Sequence, residues 1–256
     1  MKEKIYTIPV TEAFSEECEC PLCLLQKKLE QEYVDYFLGP SLMEPDCRMV
    51  TNAKGFCRRH FELLYNRQEN RLGLGLVIDT HLQEQTGRLA RQAGQGGSAA
   101  GSGASVIKSL ASKLSSRASE PAKFIDGLIE VLTELEGSCA ICGKLEFTMD
   151  RYMDVIMYLW SKEADFRQLF DSRKGFCLIH FRQLLESAKK YLKQADAAVF
   201  ADKLLKMQLA GLEKLEQEVA WFTKKFDYRY KDAPWGSSKD ALQRSIQKLA
   251  GYCELK

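Results

Sequence analysis

The sequence predicts an all-α protein: two related helical metal-binding units, a long helix and a C-terminal helical extension. Three observations carry this. Apolar residues recur at three- and four-residue steps almost throughout, a strand-like run is confined to residues 4–10, and one Cys/His pattern occurs twice. Leu22, Leu25, Leu29, Tyr33 and Phe37 share one helix face, and Gly39-Pro40 ends that helix. A second helix begins near Cys57 and turns Phe61, Leu64 and Tyr65 inward. A third covers residues 72–92. Ile125, Leu128, Ile129, Leu132 and Leu135 form another apolar stripe, with Pro121 suited to its first turn and Gly137 to its end. Tyr152, Met153, Ile156 and Trp160 continue the pattern, as do Phe181, Leu184, Leu185 and Ala188. Residues 195–226 hold no Pro and a single Gly211, so they are expected to form one long helix. Ser237 and Asp240 suit the N-terminal cap of a last helix. Phe222, Phe226, Tyr228, Tyr230 and Trp235 cluster before it and are expected to cap the core.

Lys plus Arg number 37 and Asp plus Glu 35 in 256 residues, a net charge of +2. So balanced a charge makes no general case for a nucleic-acid or polyanion binder. The start, MKEKIYTIPVTEAF, lacks the apolar core of a secretion signal. No stretch approaches the ~18 apolar residues of a membrane span. A cytoplasmic location is therefore expected, and there grouped cysteines bind metal or do redox work more often than they form structural disulfides. The cysteines number nine, which cannot all pair within one chain.

Residues 94–103, GQGGSAAGSG, hold five of the 17 glycines and are expected to form a flexible linker. The chain then divides into residues 1–93, a Gly/Ser linker at 94–119, and residues 120–256. Arg88, Arg91, Lys108, Lys113 and Arg117 fall in a window without acidic residues, and Val106, Ile107, Leu110 and Leu114 could make an amphipathic helix there. A tethered basic helix could meet an anionic partner. Five charges over so long a window make a weak field, which favours a solvated linker.

The repeat is the most informative feature. Cys20-Pro-Leu-Cys23 is followed by Lys54-Gly-Phe-Cys57-Arg-Arg-His60-Phe61. Cys139-Ala-Ile-Cys142 is followed by Lys174-Gly-Phe-Cys177-Leu-Ile-His180-Phe181. First and third cysteines are 37 residues apart in one copy and 38 in the other. Each copy supplies three Cys and one His, a tetrahedral ligand set for zinc. A C-x-x-C turn aims two sulfurs at one point. Cys and His at i and i+3 share a helix face. A cysteine at a helix start gains from the positive helix end, which favours the thiolate a metal needs. Matched spacing favours sites closed within each copy, Cys20, Cys23, Cys57 and His60 in one and Cys139, Cys142, Cys177 and His180 in the other. Crossed coordination, Cys20 and Cys23 with Cys177 and His180, is the alternative. The bland reading, small residues buried at helix starts, is outweighed by the ligand count and spacing.

Four protein ligands close the coordination sphere, so hydrolysis at the metal is disfavoured and two structural zinc ions per chain lead. An iron–sulfur cluster or a dithiol redox pair is the runner-up, because thiolates that bind zinc also bind iron. A nucleic-acid-binding regulator using Arg58, Arg59 and the basic linker is third. Covalent haem attachment is disfavoured, since Leu24 and Gly143 stand where C-x-x-C-H needs His. There is no phosphate loop, dinucleotide fingerprint or nucleophile elbow. Cys18, Cys47 (in a loop after Pro45) and Cys253 lie outside the repeat; Cys18 is a spare ligand or a solvent-facing thiol. His81 reads as a packed or surface helix histidine, since Asp79 does not share its face. The protein reads as non-enzymatic, a scaffold for an unknown protein partner.

The paired C-P-x-C and G-F-C-x-x-H-F units, N-R-L-G-L at residues 70–74 and F-D-Y-R…D-A-P-W-G at 226–236 resemble an uncharacterised bacterial family of about this length, a domain of unknown function found mainly in anaerobic Gram-positive bacteria. The resemblance covers nearly the whole chain apart from the linker and implies no established activity. Some members carry a label as substrate-binding components of ABC transporters. The absence of a secretion signal and of alternating strands and helices here argues against that label.

Overall fold

The structure, a computed structural model, describes residues 4–92 and 121–255. The linker at 94–119 and the basic amphipathic stretch read within it lie outside the described residues, as far as residue 120. Among the described residues the fold is all-α, with eleven α-helices and no strand. They are α1 (Thr7–Ser15), α2 (Pro21–Leu38), α3 (Pro45–Lys54), α4 (Arg58–Asn66), α5 (Arg71–Gln92), α6 (Pro121–Glu136), α7 (Ala140–Lys162), α8 (Ala164–Asp171), α9 (Leu178–Tyr191), α10 (Gln194–Lys224) and α11 (Ala241–Ala250). The expected long helix is α10, 31 residues without interruption.

Several expectations are corrected by the structure; Tyr65, expected inward, is exposed. Residues 4–10 are helical, forming a 3₁₀ turn at Lys4–Tyr6 and the start of α1. Pro9 is third in α1, where a missing N–H costs nothing because the first N–H groups have no intrahelical acceptor; Val10, Ala13 and Phe14 form the buried face. Cys47 is buried in α3, which opens on Pro45 at its first turn. Asp240 occupies the N-cap of α11 without a side-chain capping bond, while Ser237 Oγ donates to Glu218 at 2.7 Å.

The described chain forms two compact units, Met1–Leu29 with Glu146–Lys256, and Glu30–Leu145. Their boundaries fall inside α2 and α7, so neither unit is one sequence copy. The first, here the terminal unit, is built on an aromatic core. Phe14 meets Phe166, Phe170 and Phe176 at 5.1, 5.7 and 6.1 Å, and Phe200 meets Phe170 and Trp160 at 5.4 and 5.0 Å. All six rings are buried, and such pairs each add about 0.5–1.5 kcal/mol beyond the area they bury. The aromatic residues before α11 do not all cap a core, because Phe226 and Tyr228 are exposed. That loop is organised instead by the buried Lys225, whose Nζ donates to the carbonyls of Tyr230, Lys231 and Ala233 at 2.5–2.7 Å.

The second, central unit has a smaller aromatic core, Phe37 against Phe56 and Phe56 against Phe61. α3 and α5 are tied by polar bonds. Thr80 donates to Asn52 Oδ1 at 2.7 Å, and His81 Nδ1 and Gln85 Nε2 reach the Asn52 carbonyl at 2.8 and 3.0 Å. Arg88 pairs with Glu134 to join α5 to α6. No helix of the described residues is long and apolar enough to cross a membrane.

Candidate metal centres

All eight ligand candidates sit at helix starts. Cys20 and Cys139 immediately precede α2 and α7, with Cys23 and Cys142 in the first turns. The turns are closed by Cys23 N–H donating to the Cys20 carbonyl and Gly143 N–H to that of Cys139, both at 3.1 Å. Cys177 and Cys57 are the N-caps of α9 and α4, and His180 and His60 lie three residues on. Each C-x-x-H is delivered by a Lys-Gly-Phe turn. Gly175 and Gly55 have φ of +88° and +56°, a region that L side chains rarely adopt.

The structure gathers these residues into two groups, Cys20, Cys23, Cys177 and His180 in the terminal unit and Cys57, His60, Cys139 and Cys142 in the central unit. Within each, the ligand atoms lie within 4.8 Å of one another. The ligands are therefore crossed: every C-x-x-C meets the C-x-x-H of the other copy, which corrects the expectation of closure within each copy. The spacing of 37 and 38 residues is met by either pairing, so local spacing does not choose between them; packing does, and each compact unit holds one C-x-x-C with the other copy's C-x-x-H.

In the terminal centre His180 Nδ1 lies 3.5, 3.4 and 3.1 Å from the sulfurs of Cys20, Cys23 and Cys177. In the central centre His60 Nδ1 lies 3.2, 3.2 and 3.4 Å from those of Cys57, Cys139 and Cys142. The groups are electrostatically unbalanced without a cation. Thiols of Cys20 and Cys23 bonded to Cys177 hold it far below the usual thiol range. Burial, then the neighbouring Cys177, pushes Cys20 well up, and the bond to Cys177 raises Cys23 to about 12. Burial opposes ionisation of Cys139, yet bonding to His60 brings it down to about 6; burial and then the Cys139 charge raise Cys142 to about 12. Each cluster thus carries one thiolate readily and resists the next. A divalent cation at the focus removes that resistance, so the donor set fits a metal ion.

Different neighbours buttress the two turns. In the terminal unit the buried Gln208 of α10 clasps Phe176, accepting from its N–H and donating to its carbonyl, both at 2.9 Å. Buried Lys248 of α11 donates to the carbonyls of Glu19 and Lys174 at 2.7 and 3.1 Å and pairs with the Glu19 carboxylate at 3.1 Å. One ammonium thus joins the loops that precede both ligand pairs. In the central unit the loops bond directly: Ala140 N–H donates to the Gly55 carbonyl at 2.9 Å and Ser138 Oγ to that of Lys54 at 2.8 Å. Pro21 stands at the repeat position of Ala140 and has no N–H to give.

Sequence reasoning missed these supports, and it missed Glu30. Glu30 accepts two bonds from Arg59 at 2.7 Å and lies 3.2 Å from His60 Nε2. Burial works against its charge, but Arg59 and His60 hold its carboxyl at about 2. Burial likewise opposes protonation of His60, which Cys139 and Glu30 overcome to raise it to about 9. Arg59, read from sequence as a contact for nucleic acid, pairs with this carboxylate. The signal was there: the repeat positions of Glu30 and Arg59 are Met149 and Ile179, so both partners change together.

The terminal centre has a cover instead. Gly251, at φ +85°, lies so close that a Cβ there would be 3.8 and 3.9 Å from the sulfurs of Cys177 and Cys23. Tyr252 adds a backbone hydrogen bond to Cys23 and accepts from Lys27 Nζ at 2.6 Å. Cys20, Cys177 and His180 are buried and Cys23 half-buried, whereas Cys142 in the central centre is exposed. Cys18, Cys47, Cys253 and His81 join neither group. All nine cysteines are free. His81, half-buried on α5, braces the Gly55 turn.

No curated protein and no solved structure matches this chain. A family model does, from end to end: over residues 1–256 the chain belongs to a family of unknown function, DUF6062.

Proposed function

We propose that the protein is a non-enzymatic scaffold holding two structural zinc ions, one in each compact unit, and that it works in a reducing compartment such as the cytoplasm. The observation that carries this is the convergence of three sulfurs and one imidazole nitrogen twice, from residues far apart in the chain. A tetrahedral ion with Zn–S of about 2.3 Å and Zn–N of about 2.0–2.1 Å sets its ligand atoms about 3.5–3.8 Å apart. The separations here are 3.1–3.5 Å for sulfur to nitrogen, with Cys23–Cys177 at 3.6 Å and Cys57–Cys142 at 3.8 Å. With the ion on Nδ1, the ring proton of His60 sits on Nε2 and is donated to Glu30, which sets the tautomer and orients the ligand.

Four protein ligands leave no position for a reacting water, so zinc here supplies cross-linking rather than catalysis. Structural zinc contributes about 10–16 kcal/mol in small domains at neutral pH. That matches the whole stability of an ordinary domain, about 5–15 kcal/mol, so each unit's fold depends on its ion. Free cysteines throughout support a reducing setting. The remaining helix surface is left for a protein partner. Elemental analysis and an absorption spectrum of protein purified without oxygen test the reading. Two zinc per chain and no visible band are expected. A visible charge-transfer band with iron would replace zinc by a cluster, and a chain that folds equally well after chelation would end the structural-metal reading.

A further inference from the structure

We propose that Cys142 and Cys57 form an oxidation site for hydrogen peroxide, through which the central centre gives up its zinc while the terminal centre keeps its own. The inference rests on the zinc reading and takes it further, since it assigns the two centres different chemistry. Three observations support it. Cys142 is the one exposed cysteine among the eight ligands. Its sulfur is 3.8 Å from that of the half-buried Cys57, close enough for a disulfide after a small movement. The equivalent cysteine of the other centre, Cys23, is covered by Gly251 and Tyr252. Susceptibility of a thiolate to peroxide follows its exposure, and a neighbouring thiolate resolves the first product.

The chemistry balances. The Cys142 thiolate attacks one peroxide oxygen, the O–O bond breaks, and hydroxide leaves a sulfenic acid on Cys142. The Cys57 thiolate then attacks that sulfur, forms the S–S bond and expels a second hydroxide. Two thiolates lose two electrons in all, peroxide is reduced to two hydroxides that take up protons as water, and a zinc ion left with two of its four ligands is released.

The test uses the full chain loaded with zinc and treated with equimolar hydrogen peroxide. Zinc release is followed with a chromogenic chelator and disulfides are mapped by mass spectrometry. Loss of one of the two ions with a Cys57–Cys142 disulfide is the expected result. Release of both ions together, first oxidation at Cys20, Cys23 or Cys177, or a first disulfide without Cys142 would overturn the proposal. A variant lacking residues 251–256 is treated in the same way; uncovering the terminal centre should bring release of its ion up to the rate of the first. Unchanged release from that variant would also count against the proposal. Zinc content measured before peroxide separates the failures. Fewer than two ions per chain defeats the zinc reading itself, whereas two ions lost without selectivity defeats only the oxidation site.

Discussion

The two centres use the same set of four candidate ligands, three Cys and one His, at the same local spacing, yet they are supported in opposite ways. The terminal centre is enclosed from outside. Lys248 joins the loops behind its ligands, Gln208 clasps its Phe176, and Gly251 and Tyr252 lie over its sulfurs. The central centre is oriented from behind, by the Glu30 carboxylate on His60 and Arg59 on Glu30, and its Cys142 faces solvent. Duplicated ligands therefore do not imply duplicated properties. A buried ligand set favours retention, because exchange needs the cover to open. A charged outer partner favours affinity, because it holds the imidazole in the metal-binding tautomer.

This contrast can be broken at graded cost. The largest effect is expected from Cys177→Ser. It removes a buried ligand of the terminal centre and should lose one zinc per chain together with about 4 kcal/mol or more of stability, read by metal analysis and denaturant unfolding. Cys142→Ser at the exposed position should cost the fold less, and equal losses would erase the distinction. Next comes Lys248→Ala. It leaves the Glu19 carboxylate and two carbonyls without their buried partner, at about 3–5 kcal/mol for a broken buried pair. Unfolding confined to the terminal unit, seen by hydrogen exchange, is the expected signature.

Glu30→Ala should weaken zinc at the central centre by roughly 10–100-fold and leave the terminal one unchanged, as read by competition with a chelator. The same carboxylate has a pH signature. Its pKa is about 2 in the folded chain against the ordinary 4.5, so its stabilisation is complete above the ordinary value and fades as pH falls from about 4.5 toward 2. Glu30→Gln should flatten that part of the acid-unfolding curve. Gly251→Val should cost about 1–2 kcal/mol from backbone strain at φ +85° and speed alkylation of Cys23. The smallest effect is expected from Tyr252→Phe, which loses the bond from Lys27. About 1 kcal/mol and no loss of zinc should follow.

Much of this molecule was legible in its sequence. Helix periodicity located α2, α4, α5, α6, α7, α9 and α10, because an amphipathic helix must repeat its apolar residues every three to four positions. The eight candidate ligands were legible because metal chemistry restricts residue types and local spacing. The short α3 and α8 were not, since eight or ten residues barely establish a period. Glu30 is marked in the sequence only by the paired change of Glu30 and Arg59 to Met149 and Ile179 in the other copy, and Lys248 and Gly251 lie more than 70 residues from the sulfurs and loops they serve, beyond any local pattern.

By itself the sequence determined the candidate ligand set, the two helical half-sites in each copy and the turns that present them. These are local properties, decided by side-chain type, helix periodicity and the backbone freedom of Gly55 and Gly175. Only the tertiary structure decided which half-sites meet. The spacing of 37 and 38 residues is compatible with either pairing, and the choice falls to packing of the whole chain into two units, each of which holds one C-x-x-C and the other copy's C-x-x-H. Exposure of Cys142 and cover over Cys23 were decided at the same level, because burial belongs to the packed chain and not to the residue.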